Sequence, residues 1–309
     1  MTAVSQSISS TFIWRRVHSL TGLWLVLFLF FHLMVNSQAA LWIGDDGHGF
    51  VKLVNSLESL PYLQAIETVF IGIPLLVHAV WGIKRALNAK TNASGRGGSF
   101  PVLKESRNRA FTWQRITSWI LIFGVLGHVV QMRFMDMPEK VYFDNKEHFV
   151  VKLQADEGLY TLASRMGVVL YHGGAYPLEE GPAYTNIKQQ EFDARQREEQ
   201  AKKWAEILGS ASLNDCEVLA VSDESGKAIL FMVRETFKSP LMCVLYTIFV
   251  LAAAFHACNG FWTALITWGA ILSYRSQLAL RPVIWIGLAV MIFFGLAAIW
   301  GSFWINLRA

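Results

Sequence analysis

The chain has 309 residues, of which 53% are hydrophobic and 16% charged, with a net charge of +4 and a positive mean hydropathy. Soluble domains carry about 25% charged residues, so this is a membrane-protein composition, and nucleic acid is not expected as a partner. Cys216, Cys243 and Cys258 lack CxxC spacing and so suggest neither a zinc site nor an iron–sulfur cluster.

The polar amino terminus places Arg15-Arg16 before a first apolar segment, about Leu20 to Ile43, long enough to cross a hydrocarbon layer of roughly 30 Å. That segment contains His32 and no obvious small-residue cleavage site, so it reads as a retained helix. Gly44-Asp45-Asp46-Gly47 ends it. A short polar link with Glu58-Ser59-Leu60-Pro61 leads to a second segment, about Tyr62 to Ile83, stopped by Lys84-Arg85. Residues 84–115 hold eight basic side chains against the single acid Glu105. The third segment runs from about Trp113 to Arg133, the fourth from Pro240 to about Leu272, and the fifth from Val283 to Leu307. Arg275 and Arg281 flank the turn between the last two.

Five crossings place Arg15-Arg16, the 84–115 loop and the Arg275–Arg281 turn on one side, which the distribution of basic residues makes cytoplasmic. The amino terminus is then inside, and the carboxyl terminus and the 135–239 insert are outside. From Arg133 to Lys238 there are 13 basic and 18 acidic residues, the reverse of the inner loops. The insert reads as a small α+β domain. Strands are expected at His148–Leu153 and Val168–Tyr171, and helices at Asp156–Met166 and Glu191–Leu208. A hairpin pairing Glu217–Val221 with Ala228–Val233 completes it. His148 and His172 read as ordinary surface or turn histidines. The expected fold is therefore an all-α transmembrane five-helix bundle with an α+β insert between helices three and four. Its units are 1–134, 135–239 and 240–309.

Four histidines lie deep in four different apolar segments: His32, His78, His128 and His256. A polar ring at that depth is costly unless its nitrogens find partners. Any one of them alone reads as a helix–helix hydrogen bond or the lining of a polar cavity. Together their depths are informative. His32 and His128 lie about fourteen and fifteen residues into outward helices; His78 and His256 lie about sixteen into inward ones. At a rise of about 1.5 Å per residue, this gives two levels roughly 15 Å apart, His32 with His128 and His78 with His256. Two cofactors with two histidine ligands each require that pattern, and two haems stacked across a membrane satisfy it. Zinc would need three or four ligands converging at one level. Copper is compatible with the spacing, but aromatic pockets with Gly127 and Gly260 better suit a flat macrocycle. No CxxCH motif is present, so attachment would be axial, as in haem b.

Arg15-Arg16-Val17-His18-Ser19-Leu20-Thr21-Gly22, His32-Leu33-Met34-Val35-Asn36, Glu58-Ser59-Leu60-Pro61, His78-Ala79-Val80-Trp81-Gly82, Gln114-Arg115-Ile116-Thr117 and Phe255-His256 through Gly269 carry a resemblance. They resemble the cytochrome b membrane subunit of two-haem bacterial succinate dehydrogenases and fumarate reductases. The resemblance covers the five apolar helices in order and leaves out the insert.

It implies His32, His78, His128 and His256 as axial ligands of two haems b, and menaquinone as the membrane electron carrier. It also implies partner subunits on the cytoplasmic face, a flavoprotein with FAD and an iron–sulfur subunit, and a bacterial cytoplasmic membrane location. Electrons from succinate would reach quinone by way of the partner subunits and the haems; the same parts serve quinol-to-fumarate reduction. His18 and Ser19 resemble positions that bind a haem propionate, or else form a helix-start cluster at the interface. Arg16 and Arg115 could neutralise propionates and also serve topology. Asn259 and Gly260 read as packing and close-approach residues. Glu67, the only carboxylate within a spanning segment, is the candidate for proton exchange at an outer quinone site, or simply a hydrated interfacial acid.

Other classes fit less well. A quinol–cytochrome c type cytochrome b pairs histidines about fourteen residues apart on one helix, and only His18 and His32 have that spacing here. A hydrogenase or formate dehydrogenase cytochrome b matches the Pro61 and His256 neighbourhoods poorly. A transporter or receptor with histidine proton relays needs no haem, and a reduced-minus-oxidised spectrum separates it from the redox classes.

Overall fold

A computed structural model describes residues 9–41, 45–88, 106–143, 146–172, 195 and 213–308. Five helices are long and apolar enough to cross a bilayer: α1 (Ser10–Ser37), α3 (Leu63–Asn88), α4 (Arg107–Met135), α7 (Pro240–Thr267) and α8 (Tyr274–Asn306). Between α1 and α3 lies α2 (His48–Glu58). Between α4 and α7 lie β1 (Glu139–Phe143), β2 (Lys146–Gln154), α5 (Glu157–Met166), β3 (Val169–His172), β4 (Glu217–Ser222) and α6 (Ser225–Thr236). The chain is thus mostly helical, with one small antiparallel sheet. Leu27, Leu76, Phe123, Leu126, Trp285 and Ile286 are exposed on the flanks of the bundle, where a lipid environment would accept them.

The long helices start where short polar side chains cap them. Ser9 accepts from the Phe12 amide, Ser239 from the Met242 amide ahead of Pro240 at the first helical position, and Ser273 from the Ser276 amide. The first helix begins ten residues before the expected Leu20 and ends at Ser37, six before Ile43. Arg16 does not delay it, because a guanidinium can lie on aromatic faces. Arg16 sits 4.5 Å from the Phe12 ring centroid and 5.4 Å from that of Trp268. At the other end the Ser37 hydroxyl donates back to the Met34 carbonyl at 2.7 Å, side-chain chemistry that competes with helix continuation.

Two ends of the bundle can be told apart. At the basic end, Trp14 stacks on Trp81 at 5.6 Å, Arg16 meets Trp268, and Arg107 on α4 bonds Gln277 on α8. At the insert end, α2, the sheet and the carboxyl end of α8 come together. Asn55 donates to Glu224 at 2.6 Å and accepts from the Gly226 amide at 2.7 Å, and Asn306 donates to the Arg234 carbonyl at 2.8 Å. Arg165 grips Asp46 through two bonds of 2.8 and 3.0 Å, and holds that carboxyl below its ordinary pKa. Three π-turns, Thr68–Gly72, Val130–Met135 and Ala297–Gly301, all lie in the halves of α3, α4 and α8 nearest the insert.

The insert sheet has strand order β1-β2-β4-β3 and is antiparallel throughout. Its buried face packs on α5 and α6. That core continues without a break through Phe50 and Val51 of α2 into Val250 of α7 and Ile299 of α8. Two expectations are corrected. Ala228–Val233 is not a strand but the middle of α6, and β4 finds its partners in β2 and β3 instead. A six-residue apolar run has no period of its own, and burial between sheet and bundle accommodates it as a helix. The polar link before α3 contains a helix, α2, whose Phe50 and Val51 are buried. Glu191–Leu208 lies outside the described residues.

Candidate functional site

His32 on α1 and His128 on α4 face one another with ring centroids 5.8 Å apart and planes at 78°. His78 on α3 and His256 on α7 do so at 6.3 Å and 80°. These are the two pairs expected from the directions of travel of the helices. α1 packs against α3 and α7, and α4 packs against α7, so each pair reaches across the bundle rather than between packed neighbours. His18 stacks on His78 at 4.1 Å, and Tyr246 lies 5.8 Å from His128, so both levels are marked twice. From His18 to His32 along α1 is about 21 Å, and from Tyr246 to His256 along α7 about 15 Å.

The ring spacing decides what each pair can hold. With metal–nitrogen bonds of about 2 Å, and roughly 1 Å from ring nitrogen to centroid, two imidazoles on opposite sides of one ion stand about 6 Å apart. Among the described residues no group of three or more His, Cys, Asp or Glu side chains could hold a metal. Each pair brings two imidazoles to a spacing that would admit one ion, with no third such side chain joining them among the described residues.

Neighbouring groups fix which nitrogen is free. His78 Nδ1 lies 3.1 Å from the His18 carbonyl, to which it can only donate. The Thr117 hydroxyl donates to the Trp113 carbonyl at 2.8 Å, so its oxygen accepts from His256 Nδ1 at 3.4 Å. The Tyr246 hydroxyl donates to Gln131 at 3.1 Å, so its oxygen accepts from His128 Nδ1 at 3.2 Å. In all three rings the proton is on Nδ1, and Nε2 keeps its lone pair, the state a metal ligand needs. Among the described residues the His32 ring has no hydrogen-bond partner; Phe28 lies 5.5 Å away.

Two glycines make room for these rings. A Cβ on Gly22 would come within 2.8 Å of His78 Cε1, and one on Gly124 would strike Phe249, the ring packed 5.9 Å from His128. His18 is drawn against His78 with its own Nδ1 buried and unpartnered. Ser19 accepts from Trp268 Nε1 at 3.1 Å, which joins it to the Arg16–Trp268 contact. Arg115 is half-buried on α4, next to Gln114. Gln114 itself ties α4 to α7, donating to the His256 carbonyl at 3.2 Å and accepting from Asn259 at 2.7 Å.

Glu67 is not a solitary carboxylate. Arg133 donates to it at 2.7 Å, and both side chains are about one-third exposed. A pair that wet contributes at most about 1 kcal/mol to stability, so its interest is its position, where two π-turns meet near the insert end. Glu58 on α2 lies in the same electrostatic neighbourhood, and burial raises its pKa above the ordinary carboxylate value. Sequence reasoning overlooked Tyr246, Gln131, Thr117 and the Arg133 partnership. Polar side chains inside apolar spans were the available signal.

Fold and site together are those of a mostly helical chain with five helices long and apolar enough to cross a membrane and two close histidine pairs between them. The chain is similar to the succinate dehydrogenase cytochrome b558 subunit of Bacillus subtilis, with 37% identity over 135 residues. That match spans 43% of this chain and 61% of the relative, a little under two-thirds of its length. No protein family and no solved structure matches.

Proposed function

We propose that this chain is the membrane-anchor cytochrome b subunit of a succinate:quinone oxidoreductase and holds two haems b. The observation that carries the reading is the two imidazole pairs at 5.8 and 6.3 Å, each spaced for one iron. Similarity to a relative named as such a subunit supports it. His32 and His128 hold one group near the insert end, and His78 and His256 hold the other near the basic end. When bound, such groups supply one-electron transfer along the bundle between an iron–sulfur partner and quinone. His18, with its orphaned Nδ1, and Ser19, Arg16 and Arg115 supply donors and positive charge for the polar edge of the basic-end group.

Quinone reduction takes up two protons, and the reverse, quinol-driven fumarate reduction, releases them. Glu67 exchanges them at the insert end, held by Arg133, with Glu58 as a second carboxyl that stays protonated to higher pH. The substrate is menaquinone. The flavoprotein with FAD and the iron–sulfur subunit dock at the basic end, on the cytoplasmic face of a bacterial cytoplasmic membrane. Residues 135–239 face outward, between the bundle units 1–134 and 240–309.

A pyridine haemochrome assay on the purified complex tests this, and the expected ratio is two haems b per chain. A ratio of one removes one pair, and none overturns the reading. Mass spectrometry of co-purified chains should find the two partner subunits.

A further inference from the structure

The insert-end pair has a supporting chain that the basic-end pair lacks. His128 Nδ1 donates to the Tyr246 oxygen at 3.2 Å, Tyr246 donates to Gln131 Oε1 at 3.1 Å, and Gln131 Nε2 donates to Asp136 at 3.0 Å. The three bonds point the same way and end on a carboxylate, so each strengthens the next. At the basic end, His78 stops at a peptide carbonyl and His256 at a threonine hydroxyl that spends its proton on its own helix.

The relay also reaches both attachment points of the insert. Asp136 is the first residue after α4. On the return, Phe237 lies edge-on to the Tyr246 ring at 5.3 Å and 88°, and its carbonyl accepts from Cys243. Tyr246 is thereby held from one side through Gln131 and Asp136, where the chain leaves the bundle, and from the other by Phe237, where it returns.

We infer that Tyr246, Gln131 and Asp136 form a positioning relay for His128, and that the insert, by clamping its two ends, sets the electronic character of the insert-end haem. The inference rests on the proposed two-haem reading. A ligand imidazole whose Nδ1–H is bonded to a polarised acceptor is a stronger donor to the metal and favours oxidised iron, so the relay lowers the reduction potential of that centre alone.

The test is a redox titration of the assembled complex in membranes, followed optically and by the electron paramagnetic resonance of the oxidised centres. His32→Leu assigns the insert-end signal. If the wild-type complex lacks two haems, the functional reading fails before the relay is tested. Given two haems, Tyr246→Phe keeps the ring against Phe237 and removes the acceptor. The insert-end midpoint should rise and its resonance shift, with the basic-end centre unchanged. Gln131→Leu and Asp136→Asn should move it the same way by successively less, with Asp136→Glu restoring it. Adding Asp136→Asn to Tyr246→Phe should add little, because the link is already cut. If Tyr246→Phe sheds the insert-end haem alone, that supports the relay, and Gln131→Leu then reads the potential. Unchanged potentials in Tyr246→Phe, equal shifts at both centres, or full additivity with Asp136→Asn would overturn it.

Discussion

At the basic end, two imidazoles hand their Nδ1 protons to a peptide carbonyl and a threonine hydroxyl, and a third histidine stacks behind them. At the insert end, one imidazole is tied to tyrosine, glutamine and aspartate, while among the described residues the ring of its partner His32 makes no hydrogen bond and has Phe28 5.5 Å away. The opposed-ring geometry is nearly the same in both. What differs is whether the supporting groups come from the bundle itself or lead out of it. The basic-end acceptors lie within the helices, whereas the relay runs through Tyr246 on α7 and Gln131 on α4 out to Asp136, beyond the end of α4. The basic-end chain of bonds ends inside the bundle, and the insert-end chain ends on Asp136, at the root of the insert.

The largest effect should come from removing the rings. His32→Leu and His128→Leu are expected to abolish the same haem, and His78→Leu and His256→Leu the other, with the surviving centre titrating nearly as before. Redox-titrated spectra of membranes check this; loss of a common haem in His32→Leu and His78→Leu would break the comparison at its root. Next is Gly22→Val, which drives a side chain into His78 and costs about 1–3 kcal/mol in overpacking. Basic-end haem occupancy should fall, while the insert-end spectrum is kept.

Glu67→Gln should lower quinone-linked turnover about a hundredfold or more, the scale of losing a general acid–base group, with both haems present. Turnover at the wild-type rate would reduce the residue to an ion-pair partner of Arg133. The smallest effect concerns the seat of the insert. Arg165 depresses the Asp46 pKa, so the stabilisation is present above the unfolded-state value near 3.9 and is lost as pH falls through the lower folded value. Exposure of the pair keeps this below about 1 kcal/mol. The protection factors of α5 amides, exchange corrected for its intrinsic pH dependence, should fall by up to about fivefold below about pH 4 in the native chain, and Arg165→Ala should remove that dependence.

The insert is also where sequence reading was least secure. β2, α5 and β4 were legible because alternation, an acidic cap and β-branched runs each select one structure. In α5, Asp156 caps the start and Gly167, at φ 65°, ends it. Ala228–Val233 was not legible, since a uniformly apolar run fits a buried strand and a buried helix equally. The contact of α6 with sheet and bundle resolves it. α2 was hidden for the opposite reason: its four polar or charged side chains after Val51 masked the buried Phe50–Val51 edge.

By itself, the sequence determined five long apolar helices, one basic end and one deep histidine on each of four helices. Hydropathy, charge and a fixed rise per residue act locally, so chain order alone states them. The two ring pairs also followed, because height along a helix depends only on count and direction. Tertiary structure decided what surrounds each ring. The meeting of Tyr246 with His128 spans 118 positions and that of Thr117 with His256 spans 139, and such contacts depend on helix rotation and lateral packing. Glu67 likewise acquired Arg133, 66 positions away, only once α3 and α4 were set side by side. Rotation about a helix axis is fixed by side-chain packing over the whole bundle, and no local pattern encodes it.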